Sequence, residues 1–157
     1  MKGDPKVISV LNSLLAEELT AINQYIVHGE MDSNWGYGRL HEAVEKRAID
    51  EMKHGEALIE RILFLEGTPI VSELNKIFIG GTVEQQFKND LQAELDAIRS
   101  YNEGIRLARE AGDNGTEQLL KQILKDEEDH LDWLEAQQDQ IAQIGIQNYL
   151  AAQVKEE

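Results

Sequence analysis

Shifted by 76 residues against itself, the sequence brings like onto like. Glu18 falls on Glu94, and around that pair Leu15, Leu19, Ala21, Ile22 and Tyr25 fall on Leu91, Leu95, Ala97, Ile98 and Tyr101. Glu51 falls on Glu127, with Asp50, His54 and Leu58 on Asp126, His130 and Leu134. Adjacent Glu17 falls on Ala93 and drops out of the pattern. Each half thus carries one Glu, a step of 33 residues (18 to 51 and 94 to 127), and then Glu-x-x-His. Such a chain is constrained to place two similar units against each other with their chemistry in matching positions.

Each unit reads as a helical hairpin, because apolar residues recur at three and four and breaks are few. The first helix starts at Asp4-Pro5, a cap followed by a first-turn proline, and runs to a break around Ser33-Asn34-Trp35-Gly36. The second spans about Arg39 to Leu65, with Gly67 and Pro69 as stop signals. A crossover of about 15 residues, Gly67 to Gly81, follows and is apolar enough at Ile70, Val71, Leu74, Ile77 and Phe78 to lie on the bundle. The third helix starts at Thr82, with Gln85 completing a capping box, and ends near Ala111. Gly112-Asp113-Asn114-Gly115 reads as a tight turn, the fourth helix as Thr116 to about Ile144, and a short fifth as Ile146 to about Val154. Short, long and short connections define an all-α fold over a single domain, 1–157: the ferritin-like four-helix bundle with a long crossover and a short C-terminal helix.

At about 100° per residue, Leu11, Leu14, Leu15, Ile22 and Tyr25 lie within about 60° of Glu18. Glu94, Glu51 and Glu127 are likewise centred in apolar stripes. His54 and His130, three residues beyond a Glu, share its face. Because each step straddles a turn near its midpoint, all six side chains are expected at one depth. Four ionised carboxylates in an apolar core are prohibitively costly unless neutralised, and two divalent cations cancel the charge. Carboxylate oxygen with imidazole suits iron or manganese, and a Glu-rich pair of metals favours redox work with dioxygen or peroxide, which points to a di-iron site. A zinc-protease motif is excluded, since neither half has the leading His of His-Glu-x-x-His. His28 and His41 have no partner spacing and read as surface histidines.

Composition narrows the function classes. The chain of 157 residues has no cysteine, which removes disulfides, thiolate metal sites, iron–sulfur clusters and cysteine nucleophiles. Its net charge of −15 argues against nucleic acid as a partner and leaves cations as natural counter-charge. The charged start, Met1-Lys2-Gly3-Asp4-Pro5, has no apolar signal region behind it, and no stretch suits a membrane span. The cytoplasm is the expected compartment.

Met52 lies about 100° from Glu51 and so off the core centre. Ile49, Ile59 and Leu63 join it, and Leu19 and Ile26 widen the first helix similarly. A second apolar face on both helices predicts a subunit interface.

Asn23-Gln24-Tyr25, Asp50-Glu51-Met52-Lys53-His54, Arg61 to Gly67, Asp126-Glu127-Glu128-Asp129-His130 and Gln147-Asn148-Tyr149-Leu150 resemble the bacterioferritin family along essentially the whole chain. That resemblance implies a ferroxidase for iron storage. Glu18 with His54, and Glu94 with His130, would be terminal ligands to two non-haem irons that Glu51 and Glu127 bridge. Fe(II) would be oxidised by O2 or H2O2 and stored as ferric mineral in a 24-subunit homo-oligomer, with a ferredoxin as the reductant for release. The resemblance also makes Met52 an axial ligand to haem b shared between two subunits. Two positions depart from the pattern of several members: Lys46 stands where a histidine of an inner-surface iron site is expected, and Leu58 where an aromatic is expected. Tyr25 and Trp133 read as aromatics at helix contacts, with electron donation as the alternative. Competing functions are a di-metal oxidase or peroxidase, such as a manganese catalase or a rubrerythrin-like reductase, and a non-catalytic acidic helical assembly.

Overall fold

The computed structural model describes residues 1–155 and contains five helices: α1 Pro5–Asn34, α2 Gly38–Phe64, α3 Val83–Glu110, α4 Asn114–Ile144 and α5 Ile146–Ala151. Among the described residues there is no strand. Nor is any helix there long and apolar enough to cross a membrane. α1 pairs with α2 and α3 with α4 as antiparallel hairpins, and α1 against α3 joins the two. The all-α bundle with a long crossover and a short fifth helix is therefore the fold observed.

Local chemistry explains the helix ends. Asp4 accepts the Lys6 N–H at 2.7 Å and Pro5 takes the first helical position. At α3, Thr82 Oγ1 accepts the Gln85 N–H at 3.2 Å, while Gln85 Oε1 reaches back one residue further than a capping box, to the Gly81 N–H. The stop after α2 differs from the expectation. Glu66, not Gly67, takes the left-handed conformation at φ 62°, and the Gly67 N–H closes on the Ile62 carbonyl at 2.9 Å. Gly67 is required for space instead, since a Cβ there would lie 2.7 Å from Ile8. α4 starts at Asn114, two residues early, because Asp113 caps Thr116 N–H and Gly115 packs under the Arg61 guanidinium. α5 stops at Ala151 rather than Val154, and the Gln153 carbonyl turns to accept the Arg39 N–H.

The core runs along the bundle axis through Leu11, Leu15, Leu58, Ile62, Tyr101 and Leu120, all fully enclosed. The crossover lies on α1, but by its backbone. Thr20, Gln24 and His28 accept the N–H groups of Asn75, Phe78 and Gly80 at 2.8, 3.1 and 3.0 Å. Its apolar side chains Ile70, Val71, Leu74 and Phe78 remain exposed, contrary to the expectation that they cover the bundle, and Ile77 is half-buried.

Candidate metal centre

The four long helices each deliver carboxylate to one depth: Glu18 from α1, Glu51 from α2, Glu94 from α3 and Glu127 from α4. His54 and His130 arrive one helical turn after Glu51 and Glu127. All six are buried, none more than 6% exposed. They form two groups in which the potential ligand atoms lie within 4.8 Å of one another: Glu18, Glu51, His54 and Glu127, and Glu51, Glu94, Glu127 and His130. Glu51 and Glu127 belong to both groups.

The surroundings repeat the same symmetry. Tyr25 donates to Glu94 Oε1, and Tyr101 donates to Glu18 Oε1. Burial first, and then the neighbouring carboxylates, push both phenols well above their usual range, so they stay protonated donors. His54 Nε2–H donates to Asp126 at 3.0 Å, and His130 Nε2 lies 3.4 Å from Asp50. Each aspartate thus steadies the histidine of the other half. The Nδ1 atoms turn inward, His54 toward Glu127 at 2.9 Å and His130 toward Glu51 at 3.0 Å.

Glu51 and Glu127 are raised well above the usual carboxylate range by burial and by the carboxylates around them. Glu94 goes the other way: burial opposes ionisation, but hydrogen bonds from Glu127, His130 and Tyr25 outweigh it. Burial would also push His54 down, yet Glu127 and Glu18 raise it to about 11. Burial thus favours the protonated form at Glu51 and Glu127, beside a His54 held in its charged form. A set of buried, potentially ligating atoms makes no well-aligned hydrogen bond, although the Nδ1 atoms lie about 3 Å from carboxylate oxygens: Glu18 Oε2, Glu51 Oε1, Glu94 Oε2, Glu127 Oε1 and both Nδ1 atoms. Unpaired buried acceptors are costly. Hard oxygen and imidazole donors, pre-aimed by outer hydrogen bonds, suit divalent first-row cations.

A cleft of about 220 Å³ reaches this cluster from outside, between α1, α3 and the crossover. Glu17, absent from the repeat, lines it. Burial pushes its carboxyl up to about 7, against the hydrogen bond from Ser100 Oγ at 2.6 Å. The pattern missed it because its counterpart is Ala93.

The ferritin family model, described as a ferritin-like domain, matches residues 8–144. A bacterioferritin of Mycolicibacterium paratuberculosis is 42% identical over 151 residues, covering 96% of this chain and 95% of the relative. The chain belongs to the bacterioferritin family. A bacterioferritin of Brucella melitensis is 42% identical over 149 residues, 95% of this chain and 92% of its own length. A bacterial ferritin of Synechocystis sp. is 41% identical over 155 residues, 98% and 99% of the two chains.

Met52 lies on the outer face of α2, 47% exposed beside exposed Ile49 and Leu63, with Ile26 exposed on α1, the off-core apolar face expected from the sequence. Lys46 is exposed and Leu58 is fully buried. Trp133 packs edge-on against Phe87 under Arg47, whereas Tyr25 contacts the cluster directly. The expectation for His28 fails. Its ring is fully enclosed, with Nδ1–H donated to Asp90 at 2.9 Å and Nε2 accepting the Gly80 N–H. It anchors structure rather than meeting solvent. His41 is half-buried, its Nδ1–H donated to the Gly29 carbonyl at 2.8 Å.

Proposed function

We propose that this chain, as one domain over 1–157, is an iron-storage ferroxidase that oxidises Fe(II) with O2 or H2O2. What carries the reading is the set of unpartnered inward-facing donor atoms, with Glu51 and Glu127 shared between two ligand groups. Glu18 with His54, and Glu94 with His130, would hold the two ions at their outer sides, and Glu51 and Glu127 would bridge them. Bound as a pair, ferrous ions supply two electrons, enough to reduce dioxygen to hydrogen peroxide or peroxide to two waters.

The chain's own groups prepare that event. Asp126 and Asp50 hold the Nε2 side of each imidazole, which leaves Nδ1 facing the ion. Tyr101 and Tyr25 fix one oxygen of Glu18 and Glu94, so only the other swings free. Glu51, Glu127 and His54 hold protons that binding of divalent ions would displace, which would keep the buried charge near balance.

The resemblance extends the proposal to a cytoplasmic homo-oligomer of 24 subunits that holds ferric mineral, with a ferredoxin reducing it for release. Haem b would sit on the two-fold axis between subunits. Met52, on an exposed apolar strip, would offer its thioether to the haem iron, and a second thioether would require a second copy of the chain.

Fe(II) added in air should develop ferric absorbance faster than in buffer alone. Glu18→Ala and Glu127→Ala should each remove that fast phase, slowing it at least about 100-fold, while native size is kept. Wild-type rates in both variants would refute the ferroxidase reading.

A further inference from the structure

The cleft grades from open to closed. Asn75, Lys76, Gln92 and Asp96 at its mouth are exposed, Glu17 is half-buried, and Glu18, Glu94 and Glu127 at its floor are enclosed. A second cavity touching the cluster, beside Tyr25, Arg47, Trp133 and His130, measures about 10 Å³ and holds one water at most. Of these two cavities touching the cluster, only the larger cleft has room for a hydrated cation.

Glu17 stands on that route with one oxygen spoken for and one free. Oε1 accepts from Ser100 Oγ, while Oε2 is shielded from bulk water and has no partner. One residue on, Glu18 Oε2 is also unpartnered and 2% exposed. Asp96 at the mouth is 55% exposed and held by Gln92 Nε2–H at 3.0 Å and Arg99 at 3.5 Å. The one cation among these mouth residues is turned aside, since Lys76 Nζ sits over the Phe78 ring, 5.0 Å from its centroid. Glu17 belongs to neither ligand group of the centre.

Resting on the di-metal reading above, we propose that Glu17 is a transfer ligand: its free oxygen receives a divalent cation from the cleft mouth and passes it to Glu18. A carboxyl group in a narrow low-dielectric passage, drawn into its ionised form by the approaching cation, raises the local cation concentration and speeds delivery without altering the final site.

Cobalt(II) separates delivery from oxidation, because air does not oxidise it in this ligand set. Its uptake by the assembled metal-free protein is followed by visible absorbance in a stopped-flow instrument. Glu17→Gln keeps an oxygen for Ser100 and removes the charge. It should slow uptake about tenfold with the same number of ions bound at the end. Ser100→Ala, which breaks the α1–α3 contact and keeps the charge, should leave uptake within about twofold of wild type. Unchanged uptake in Glu17→Gln overturns the proposal, and so does a reduced end point, which would place Glu17 in the centre itself. Equal slowing in Ser100→Ala would assign the effect to helix packing and also overturn it. If wild type binds no cobalt at all, the di-metal reading fails first, which distinguishes the two claims.

Discussion

Asp32 is enclosed near the end of α1, 1% exposed, and its Oδ1 has no hydrogen-bond partner. Burial raises its carboxyl from 3.8 to about 7, with His28 opposing and Asp90 adding to the rise. A folded value above the unfolded one means a contribution to stability that is full below about pH 4. That contribution is lost as pH rises through about 7. Asp32→Asn removes the ionisation and keeps the shape. Thermal unfolding of metal-free protein should show the variant close to wild type at pH 4, and more stable by about 1–3 kcal/mol at pH 8. A difference independent of pH would show that the carboxyl is not titrating in this range. At the centre the two outer aspartates differ in their hold, Asp126 lying 3.0 Å from His54 and Asp50 3.4 Å from His130.

At the scale of elements, the crossover is held by a ladder on α1. Thr20, Gln24 and His28 are four residues apart, so they line one helix face. Each takes one N–H from the passing chain. Gln24 and His28 also grip Asp90 of α3, at 2.8 and 2.9 Å. Gly80 must come close here, because a Cβ would meet the Gln86 nitrogen at 2.4 Å. His28→Leu leaves the Gly80 N–H and Asp90 short of partners, at a cost of about 2–4 kcal/mol. Hydrogen exchange should accelerate first at Phe78 and Gly80, with amides of α4 unaffected in the absence of denaturant. Uniform acceleration would mean that the ladder has no local role. This ladder was hidden in the sequence for a definite reason. The positions 76 residues beyond Thr20, Gln24, His28 and Asp32 hold Asp96, Ser100, Gly104 and Ala108. The crossover occurs once per chain, so its anchors cannot repeat, and a lone His28 without ligand spacing resembled a surface residue. The six cluster residues were legible because both hairpins bury the same stripe and face the same centre. Helix types followed from periodicity, while the left-handed Glu66 and the early start of α4 depended on close packing of Ile8, Ile62 and Arg61 that no local pattern records.

For the whole molecule, charge and apolar surface pull in opposite directions. At −15, copies of the chain repel one another, and the proposed assembly would have to offset that through apolar faces such as Ile26, Ile49, Met52 and Leu63. All six donors of the proposed centre come from one chain, so chemistry and assembly are separable. Ile49→Glu with Leu63→Glu places like charges on that face and should reduce the native mass toward the 17.8 kDa of one chain. Rapid oxidation of the first Fe(II) equivalents should survive, but further ferric product should precipitate instead of staying in solution. Met52→Leu acts on the same face without adding charge. Its expected result is full native mass with the Soret band of haem lost, because an alkyl side chain offers iron no donor. A Leu variant that keeps an unchanged Soret band would reject Met52 as the ligand. An Ile49→Glu, Leu63→Glu variant that dissociates and loses fast oxidation would show instead that the centre needs a neighbouring subunit, although in the single chain every donor is already within reach of its group.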